Sequence, residues 1–378
     1  MQRFDCIVVG SGIAGASAAY EIAGDRRVLL VEREMQPGYH ATGRSAALFA
    51  ETYGSAPVRA LTAASKAFLT APPGGFAATP LMTPRPILLI GRDDQRDRLQ
   101  AAYAENAPFG TVERLTGAQA RALVPVLDPG VITGGVLEPR AQDIDVDAVH
   151  RGYLRGFGRR GGKLALGAEV LALRHRGDLW TVATSAGPFQ APIVVNAAGA
   201  WADAVARLAG IRPIGLVPKR RSAFIFSGDT GAGTEGWPAV IDIDETFYFK
   251  PEAGLLLGSP ANEDPVAAQD VQPEELDIAL AVDRIEAATT LKVARIGRRW
   301  AGLRSFVADR IPVNGFDGRA PGFYWLAGQG GYGIQTAPAM ARLCAALVRG
   351  EPVPDDLARH GIEPAALSPA RLGREAVA

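Results

Sequence analysis

The apolar residues of this chain are concentrated in short runs, separated by glycine-rich turns and by stretches of mixed polarity. The first run, Cys6 to Val9, leads through an Ala-rich segment to a second apolar run that ends at Glu32. Short apolar runs bounded by turn residues are typical of strands that are buried on both faces. The opening segment therefore predicts a strand, a helix and a second strand.

Later segments predict further helices and strands. Helices are expected at about 57–69, 93–106, 116–123, 145–161 and 273–290, with Thr116 as the N-cap of the third. Strands are expected at 84–91, 163–166, 169–177 and 179–185, and hairpin-spaced strands and turns dominate from about 213 to 260. A chain of 378 residues exceeds the length at which a single core stops growing, so two domains are expected.

The glycines after the first strand match the fingerprint of a dinucleotide-binding turn. Gly10, Gly12 and Gly15 stand in G-x-G-x-x-G spacing, and Glu32 follows 22 residues after Gly10. The first glycine permits a sharp turn, the second lets the backbone approach a pyrophosphate, and the third lets the helix pack on the strand. The pyrophosphate is expected at the helix N-terminus, where free N–H groups and the helix dipole favour negative charge. An acid at position 32 favours an unphosphorylated ribose, which indicates FAD or NAD rather than NADP.

Composition and charge exclude several classes of partner. The chain has 40 basic and 40 acidic residues, so it has no net field that would attract nucleic acid or a membrane surface. Its apolar runs are far shorter than the roughly 20 residues that span a bilayer, and no signal peptide is expected before the first strand. The isolated Cys6 and Cys344 predict a reducing, cytoplasmic setting. The four histidines lack metal-ligand spacing, so no metal site is expected.

Several longer segments carry a resemblance to a known family. They are TGRSAA at 42–47, NAAGAW at 196–201, AGLRSFVADRIP at 301–312 and GQGGYGIQTAP at 328–338. Together with the glycine fingerprint, they resemble the FAD-dependent D-amino acid oxidase superfamily. Within it, PKRRSAFIF at 218–226 and FYFKPEAGLLLGSPAN at 247–262 are most similar to D-arginine dehydrogenases.

The resemblance implies an α/β fold, α+β overall, with two domains. A discontinuous Rossmann-like FAD-binding domain would comprise residues 1–83, 145–212 and 300–378. A substrate-binding domain built on an antiparallel sheet would comprise residues 84–144 and 213–299. The FAD would be non-covalent, because the SFVADRIP segment lacks the cysteine to which some relatives attach flavin.

The implied activity is that of a D-amino acid dehydrogenase. A hydride would pass from the substrate Cα to flavin N5, and water would hydrolyse the imino acid to a 2-oxo acid and ammonia. Electrons would leave to a quinone or another acceptor, which leaves peripheral contact with the inner membrane face open. Three alternatives remain: a sarcosine- or glycine-type amine oxidase, an NAD-dependent dehydrogenase, and a non-catalytic FAD-binding subunit. The motifs do not separate oxidase from dehydrogenase activity.

The fingerprint and the resemblance together predict the lining of the FAD site. The residues are Gly10, Gly12, Ile13, Ala14, Gly15, Glu32, Arg33, Thr42, Gly43, Arg44, Ser45, Ala46, Val170, Ala198, Gly199, Trp201, Gly302, Arg304, Gly330, Gly331, Tyr332, Gly333, Ile334 and Gln335.

The resemblance also assigns two arginines to the substrate carboxylate. A guanidinium offers the planar pair of donors that a carboxylate needs, and Arg221 and Arg304 match the family's active-site arginines. A structural ion pair is the competing interpretation for Arg304. For Lys219 and Arg220, next to Arg221, we expect a solvated basic edge.

Four further residues are expected near the substrate by the same resemblance. Tyr248 and Tyr53 would bring hydroxyl groups to the carboxylate, although Tyr248 alternates with phenylalanines and core packing is a real alternative. Gly331 would present its carbonyl to the substrate amine, and Gln335 would open the following helix near the flavin or the active site. A plain strand-to-helix turn is the alternative for these glycines.

Two departures from the D-arginine type define the expected substrate side chain. Ile87 stands where those members have an acid, and the covering loop has Leu48 and Ala50 where polar residues would suit a charged substrate. Burying a guanidinium without a counter-charge is costly, whereas burying an apolar side chain is favourable. Hydrophobic D-amino acids are therefore expected to be preferred over D-arginine, unless Glu51 near the loop tip turns into the pocket.

Overall fold

A computed structural model describes residues 1–109, 112–231 and 233–372 of the chain. The strands are β1 (Gln2–Arg3), β2 (Cys6–Val9), β3 (Val28–Val31), β4 (Leu48–Phe49), β5 (Met82–Pro84), β6 (Ile87–Gly91), β7 (Glu113–Thr116), β8 (Gly134–Glu138), β9 (Gln142–Ile144), β10 (Lys163–Ala165), β11 (Val170–Arg176), β12 (Leu179–Thr184), β13 (Gly187–Ala191), β14 (Ile193–Asn196), β15 (Val217–Gly228), β16 (Ala239–Asp242), β17 (Tyr248–Glu252), β18 (Leu255–Ser259), β19 (Asp264–Pro265), β20 (Val293–Phe306), β21 (Val313–Phe316) and β22 (Phe323–Ala327). The α-helices are α1 (Ile13–Ile22), α2 (Ala56–Thr70), α3 (Arg96–Asn106), α4 (Gly117–Leu123), α5 (Val146–Arg159), α6 (Ala202–Leu208), α7 (Glu275–Ala288), α8 (Gly333–Arg349), α9 (Asp355–Arg359) and α10 (Pro364–Leu367).

The apolar runs at the start of the chain form the centre of a largely parallel sheet. Its strand order is β10-β3-β2-β14-β22-β21, and only the last pair is antiparallel. Every residue of β2, β3 and β22 is buried. Parallel strands covered on both faces need such continuous apolar sequences, because neither face meets water. The predicted Rossmann-like unit of strand, helix and strand is confirmed.

The two faces of this sheet pack into separate cores. Cys6, Val8 and Leu30 belong to a core shared with α1, α2, α5 and α8. Ile7 and Leu29, which point to the opposite face, belong to a core shared with α6 and the sheet formed by β1, β13, β12 and β11. The alternation of side chains along β2 and β3 therefore separates the helical layer from the second β layer.

A second large sheet provides the mainly antiparallel layer that the resemblance implied. Its strand order is β19-β15-β18-β17-β16-β6-β8-β7, and β20 pairs with β15. Its strands come from two stretches of chain, 87–138 and 217–306. β20 continues through residue 300, where a domain boundary was predicted, and the domain limits stay predictions. Residues 110–111, 232 and 373–378 of the predicted segments lie outside the described residues.

The long pair β15 and β20 determines which side chains share a face. Lys219 lies opposite Arg304, and Arg221 lies opposite Gly302. Opposite residues and residues two apart along a strand point to the same side, so Arg221 and Arg304 are diagonal neighbours on one face. Phe224 points to the other face, into a core shared with α7. The strand period thus places both predicted carboxylate-binding arginines together.

The predicted helices are confirmed within a few residues at their ends. α2, α3, α4, α5 and α7 lie at the predicted places, and the Thr116 side chain accepts from the Gln119 N–H at 3.3 Å as the N-cap of α4. The sequence did not predict the first half of β20, since Ala294 to Arg299 are exposed and show no apolar alternation. Within the described residues, no helix is long and apolar enough to cross a membrane.

The prediction that Arg220 lies on a solvated basic edge is wrong. Its side chain is buried, and it points away from Arg221 towards α7, as strand alternation requires. The guanidinium pairs with Asp277 at 3.0 Å, with Asp264 at 3.3 Å and with Glu274. Lys219, on the opposite face, pairs with Glu263 at 3.0 Å. A buried arginine is tolerated here because three carboxylates surround it.

We expect Arg220→Ala to destabilise the fold by about 3 kcal/mol, because it leaves the buried Asp277 carboxylate without its cation. Urea unfolding followed by circular dichroism measures this loss. Arg295→Ala, at an exposed position of β20, is the matched control and should change stability little. Equal stabilities of the two variants would show that the Arg220 cluster contributes nothing.

Candidate functional site

A long cleft opens where the carboxyl ends of four parallel strands meet. Its volume is about 290 Å³, and its walls include residues at or just after the ends of β2, β3, β14 and β22. This is the edge at which open α/β sheets bind their ligands. The predicted cofactor residues that line it are Gly10, Gly12, Ile13, Ala14, Glu32, Arg33, Thr42, Arg44, Ser45, Ala46, Val170, Ala198, Gly199, Trp201, Gly302, Arg304, Gly330, Gly331, Gly333 and Ile334.

The other predicted cofactor residues stand behind this lining. Gly15 packs on the turn, since a Cβ there would lie 1.8 Å from the Gly10 carbonyl oxygen. Gly43 donates its N–H to the Gly38 carbonyl at 2.8 Å. The Tyr332 ring packs edge-on against Tyr53 with 5.0 Å between centroids. These residues shape the walls from the second layer.

The glycine turn forms a close cradle at the start of α1. Gly10 has φ +97°, and a Cβ on it would lie 2.6 Å from the Ala197 carbonyl oxygen at the end of β14. Gly12 caps α1 without a side-chain hydrogen bond, and the Thr42 hydroxyl accepts from the Ile13 N–H at 2.9 Å. Gly12, Ile13 and Ala14 thus bring the helix N-terminus to the cleft wall, which suits a pyrophosphate.

The acid of the fingerprint is held rigidly at the end of β3. One Glu32 oxygen accepts from both the N–H and the hydroxyl of Ser11 at 2.8 Å, and the other accepts from the Glu34 N–H at 3.0 Å. Glu32 is buried and lines the cleft. Its orientation is fixed before any ligand arrives.

Two polar side chains in the cleft wall have buried atoms without a protein partner among the described residues. His40 uses Nε2 to contact the Glu34 carboxylate at 2.9 Å, and its Nδ1 has no partner. Gln329, in the turn between β22 and α8, has an unpaired Nε2. Buried polar atoms normally find partners, so both atoms fit a ligand rich in hydroxyl, phosphate and ring-nitrogen groups. The cradle, Glu32 and these two side chains together fit FAD.

Arg221 and Arg304 lie together at one part of the cleft wall. The Arg221 Nε–H donates to the Asn262 carbonyl at 2.8 Å, and one terminal nitrogen lies 3.4 Å from Glu263. Burial and the adjacent Arg304 charge lower the pKa of Arg221. Arg304 packs against Gly331, where a Cβ would lie 2.9 Å from a guanidinium nitrogen, and it approaches the Tyr53 hydroxyl at 3.5 Å.

One carboxylate, Glu263, serves several cations behind this pair. It receives both terminal nitrogens of Arg310 at 2.9 Å and Lys219 at 3.0 Å, besides the longer contact with Arg221. These hydrogen bonds and charges outweigh burial and lower the pKa of Glu263 to about 2. Because Glu263 is shared, positive charge at the cleft face remains only partly neutralised.

Tyr248 faces the cleft between two buried phenylalanines. Phe247 and Phe249 belong to the core on the other side of the sheet, whereas Tyr248 is half-buried and lines the cleft. The alternative of a core tyrosine is therefore set aside. Burial raises the pKa of the nearby Tyr332 to about 12, so its phenol stays neutral at ordinary pH.

Ile87, Ala50 and Leu48, the predicted side-chain pocket, do not line the large cleft. They form an adjoining apolar cluster that also includes Tyr53 and Ile241. The cluster borders the cleft because Ile241 pairs directly with Tyr248 and Tyr53 approaches Arg304. Within the cluster, Tyr53 is the member that contacts Arg304, and Ile241 lies beside Tyr248.

The side chains of Glu51 and Gln335 do not line the cleft. The Glu51 carboxylate accepts from Lys66 of α2 at 2.6 Å, so it does not supply a charge to the apolar cluster. Gln335 is the third residue of α8, is buried, and does not line the cleft. Its Oε1 accepts from the Ala50 N–H at 3.1 Å and its Nε2 donates to Thr62 at 3.0 Å. Gln335 therefore supports the loop that carries Tyr53.

A family model for FAD-dependent oxidoreductases matches residues 5–347. The chain belongs to this family. Uncharacterized oxidoreductase YurR of Bacillus subtilis is 26% identical over 94% of this chain and 97% of its own length. Human mitochondrial dimethylglycine dehydrogenase is 25% identical over 94% of this chain, which spans 44% of that protein. Glycine oxidase from Geobacillus kaustophilus has TM-score 0.83 at 21% identity, with 96% and 99% of the two chains covered.

FAD is therefore the cofactor of this oxidoreductase, and the alternative of an NAD-dependent dehydrogenase is set aside. The likeness to glycine oxidase at 21% identity shows a shared fold. Within the described residues, no group of three or more histidine, cysteine, aspartate or glutamate side chains is arranged to hold a metal ion.

Sequence reasoning missed two polar residues of the cleft wall, Gln329 and His40, and two carboxylates that contact residues next to it, Glu263 and Glu138. Gln329 lies inside the GQGG motif, so the sequence alone offered a signal for it. His40 immediately precedes the ATGRSAA segment, but a lone histidine carries no signal of its partner. Glu263 and Glu138 reach the site only through contacts between distant segments. Such contacts cannot be inferred from local pattern.

Gly15→Ala should greatly reduce the FAD bound by the purified oxidoreductase, because the added methyl would collide with the Gly10 carbonyl and displace the turn. The ratio of absorbance at 450 nm to that at 280 nm, and the FAD dissociation constant from fluorescence titration, measure the effect. Gly158→Ala, on an open face of α5, is the matched control. Full FAD content in Gly15→Ala would contradict this account of the turn.

Proposed function

We propose that this oxidoreductase is a D-amino acid dehydrogenase that oxidatively deaminates apolar D-amino acids. The observation that supports it best is the pair Arg221 and Arg304 at one end of the cofactor cleft. Arg221 shares Glu263 with two other cations, and among the described residues no carboxylate lies within ion-pair distance of Arg304. Two such guanidinium groups side by side suit a ligand carboxylate. A flavoprotein whose substrate has no carboxylate would not need this pair of arginines.

The order of side chains across the sheet suggests how an amino acid would lie. On the cleft face, Arg221 of β15 is followed by Tyr248 of β17, Ile241 of β16 and Ile87 of β6. β18 lies between β15 and β17, so at about 4.8 Å per strand Tyr248 stands roughly 10 Å and Ile241 roughly 14 Å across the sheet from Arg221, a distance that the long arginine side chain and a bound amino acid would cover together. The carboxylate would bind Arg221 and Arg304, and the side chain would extend over the apolar cluster.

Protein groups would orient the substrate and exclude water. Arg304 and Tyr53 would hold one side of the carboxylate, and Tyr248 would offer its hydroxyl. Gly331 packs against the Arg304 guanidinium and lines the cleft, and its carbonyl would accept from the substrate amine. When bound, FAD supplies the acceptor for the two electrons and the hydrogen that leave Cα. Water would then hydrolyse the released imino acid to a 2-oxo acid and ammonia.

The choice of the D-enantiomer and of dehydrogenase over oxidase rests on the resemblance of PKRRSAFIF and FYFKPEAGLLLGSPAN to D-arginine dehydrogenases. The preference for apolar side chains rests on the apolar residues Ile87, Leu48 and Ala50. It also rests on the ion pair of Glu51 with Lys66, which keeps that carboxylate away from the cluster. The electron acceptor would be a quinone or another carrier.

An N-methylated amino acid, with a secondary or tertiary amine, is the second candidate substrate. The likeness to human dimethylglycine dehydrogenase over 94% of this chain supports it, and a carboxylate clamp serves an N-methylated amino acid equally well. The products distinguish the two. Oxidation of an N-methyl group yields formaldehyde after hydrolysis, whereas oxidation of a primary amine at Cα yields ammonia and a 2-oxo acid.

The test is a panel of kcat/KM values with an artificial electron acceptor under air and under argon. It covers both enantiomers of leucine, methionine, phenylalanine and arginine, together with sarcosine and dimethylglycine. The proposal expects D-leucine to exceed D-arginine at least tenfold and L-leucine to be inert. Turnover of sarcosine or dimethylglycine alone, with formaldehyde as product, would overturn it.

We expect Arg304→Met to lower kcat/KM for D-leucine roughly 30- to 150-fold, because charged hydrogen bonds to the carboxylate are lost. This fold-change corresponds to about 2–3 kcal/mol of lost transition-state stabilisation. The loss should appear mainly in KM. Arg299→Met, on the exposed part of the same strand, is the control. A wild-type KM in Arg304→Met with full FAD content would remove Arg304 from the carboxylate site.

Ile87→Glu should raise kcat/KM for D-arginine relative to D-leucine by roughly threefold to tenfold, because a carboxylate would then face the cationic side chain. The gain is expected to be modest, since Glu138 lies directly opposite and repels a second negative charge. Ile87→Gln is the matched control, which adds polarity without charge. No difference between the two variants would place Ile87 outside the side-chain pocket.

A further inference from the structure

The Tyr53 loop, residues 50–54, is the segment that brings the Tyr53 hydroxyl to Arg304. Helices hold it on one side. Gln335 of α8 accepts from the Ala50 N–H at 3.1 Å, Lys66 of α2 donates to the Glu51 carboxylate at 2.6 Å, and Arg59 of α2 donates to the Gly54 carbonyl at 2.6 Å.

Glu138, at the end of β8, holds the loop on the other side. One of its oxygens accepts from the Glu51 N–H at 3.1 Å, and the other accepts from the Thr52 hydroxyl. The carboxylate therefore spans two successive residues immediately before Tyr53. Burial raises the pKa of Glu138 despite these hydrogen bonds. A partly desolvated carboxylate has few alternative partners, so the contact should be well defined.

Glu138 also belongs to the sheet face that carries the substrate-facing residues. It lies directly opposite Ile87 in the β6–β8 pair, so the two side chains project to the same side. Apart from the 3.5 Å contact between Arg304 and the Tyr53 hydroxyl, the described hydrogen bonds that join the loop to the large sheet are those with Glu138, whereas the rest reach α2 and α8. Glu138 thus supplies the two hydrogen bonds that join the loop backbone and Thr52 to the large sheet.

We propose that Glu138 is a positioning residue that fixes the Tyr53 loop, and with it the Ala50 and Tyr53 side chains of the apolar cluster, against the large sheet and so sets the fit of the substrate side chain. It acts through Glu51 and Thr52, and it touches neither the arginines nor the cofactor turn. The proposal rests on the proposed function for its effect on kinetics. Its structural part, the anchoring of the loop, stands without it.

Three substitutions separate anchoring from charge. Glu138→Ala removes both acceptors and leaves the Glu51 N–H without its partner. Glu138→Gln keeps one acceptor for that N–H, and its amide can donate to the Thr52 hydroxyl. Thr52→Val removes one of the two donors at nearly constant volume. Glu113→Ala, at an exposed position of neighbouring β7, is the control.

The first readout is hydrogen–deuterium exchange of the FAD-loaded protein in a peptide that covers residues 48–56. The expected order of exchange rate is Glu138→Ala fastest, Thr52→Val intermediate, and Glu138→Gln close to wild type. We expect roughly tenfold faster exchange in Glu138→Ala, in line with the loss of two side-chain hydrogen bonds. Wild-type exchange in Glu138→Ala would overturn the proposal.

The second readout is the split between KM and kcat for D-leucine. Glu138→Ala should raise KM about tenfold with kcat within threefold of wild type, and Glu138→Gln should restore KM. Equal losses in the Ala and Gln variants would overturn the proposal, because charge and not anchoring would then matter. If wild-type protein oxidises no D-amino acid, the proposed function fails while the exchange experiment still decides the role of Glu138.

Discussion

Partly neutralised positive charge on one face of a β-sheet is the constraint on which the substrate end of this structure depends. Arg221 and Arg304 are brought together by the register of β15 and β20, and the Glu263 carboxylate behind them is shared with Lys219 and Arg310. Desolvating a guanidinium without a dedicated partner is unfavourable. A protein tolerates that cost where a ligand supplies the missing negative charge, and here the charge lies at the end of a cofactor cleft.

The same strand pair explains why Arg220 and Arg221 have different roles although they are adjacent. The period of two sends Arg221 to the cleft and Arg220 to a cluster of three carboxylates beneath α7. Sequence reasoning treated Arg220 as part of a solvated edge because its partners, Asp264, Glu274 and Asp277, are more than forty residues away along the chain. The alternation of side chains along the strand could be predicted from the sequence, but the carboxylates on the far side of the sheet could not.

The sequence predicted the nucleotide-binding half of the fold well, because its signals are local. Gly10, Gly12, Gly15 and Glu32 lie within one strand–helix–strand unit, and buried parallel strands have continuous apolar runs. The large antiparallel sheet was predicted only in outline, since its strands come from two distant stretches and half of β20 is exposed and polar. The role of Gln335 and Glu138 as anchors of the Tyr53 loop was not predicted for the same reason. Both roles depend on contacts between distant segments.

The central claim, that the cleft joins FAD to a D-amino acid, is tested most directly by an anaerobic titration of the purified yellow protein. The visible spectrum is recorded while D-leucine is added, with L-leucine in a parallel cuvette. We expect D-leucine alone to bleach the flavin band near 450 nm. We also expect ammonia to appear in an amount equal to that of the flavin reduced. An oxidised spectrum that neither D-leucine nor any other D-amino acid changes would contradict it.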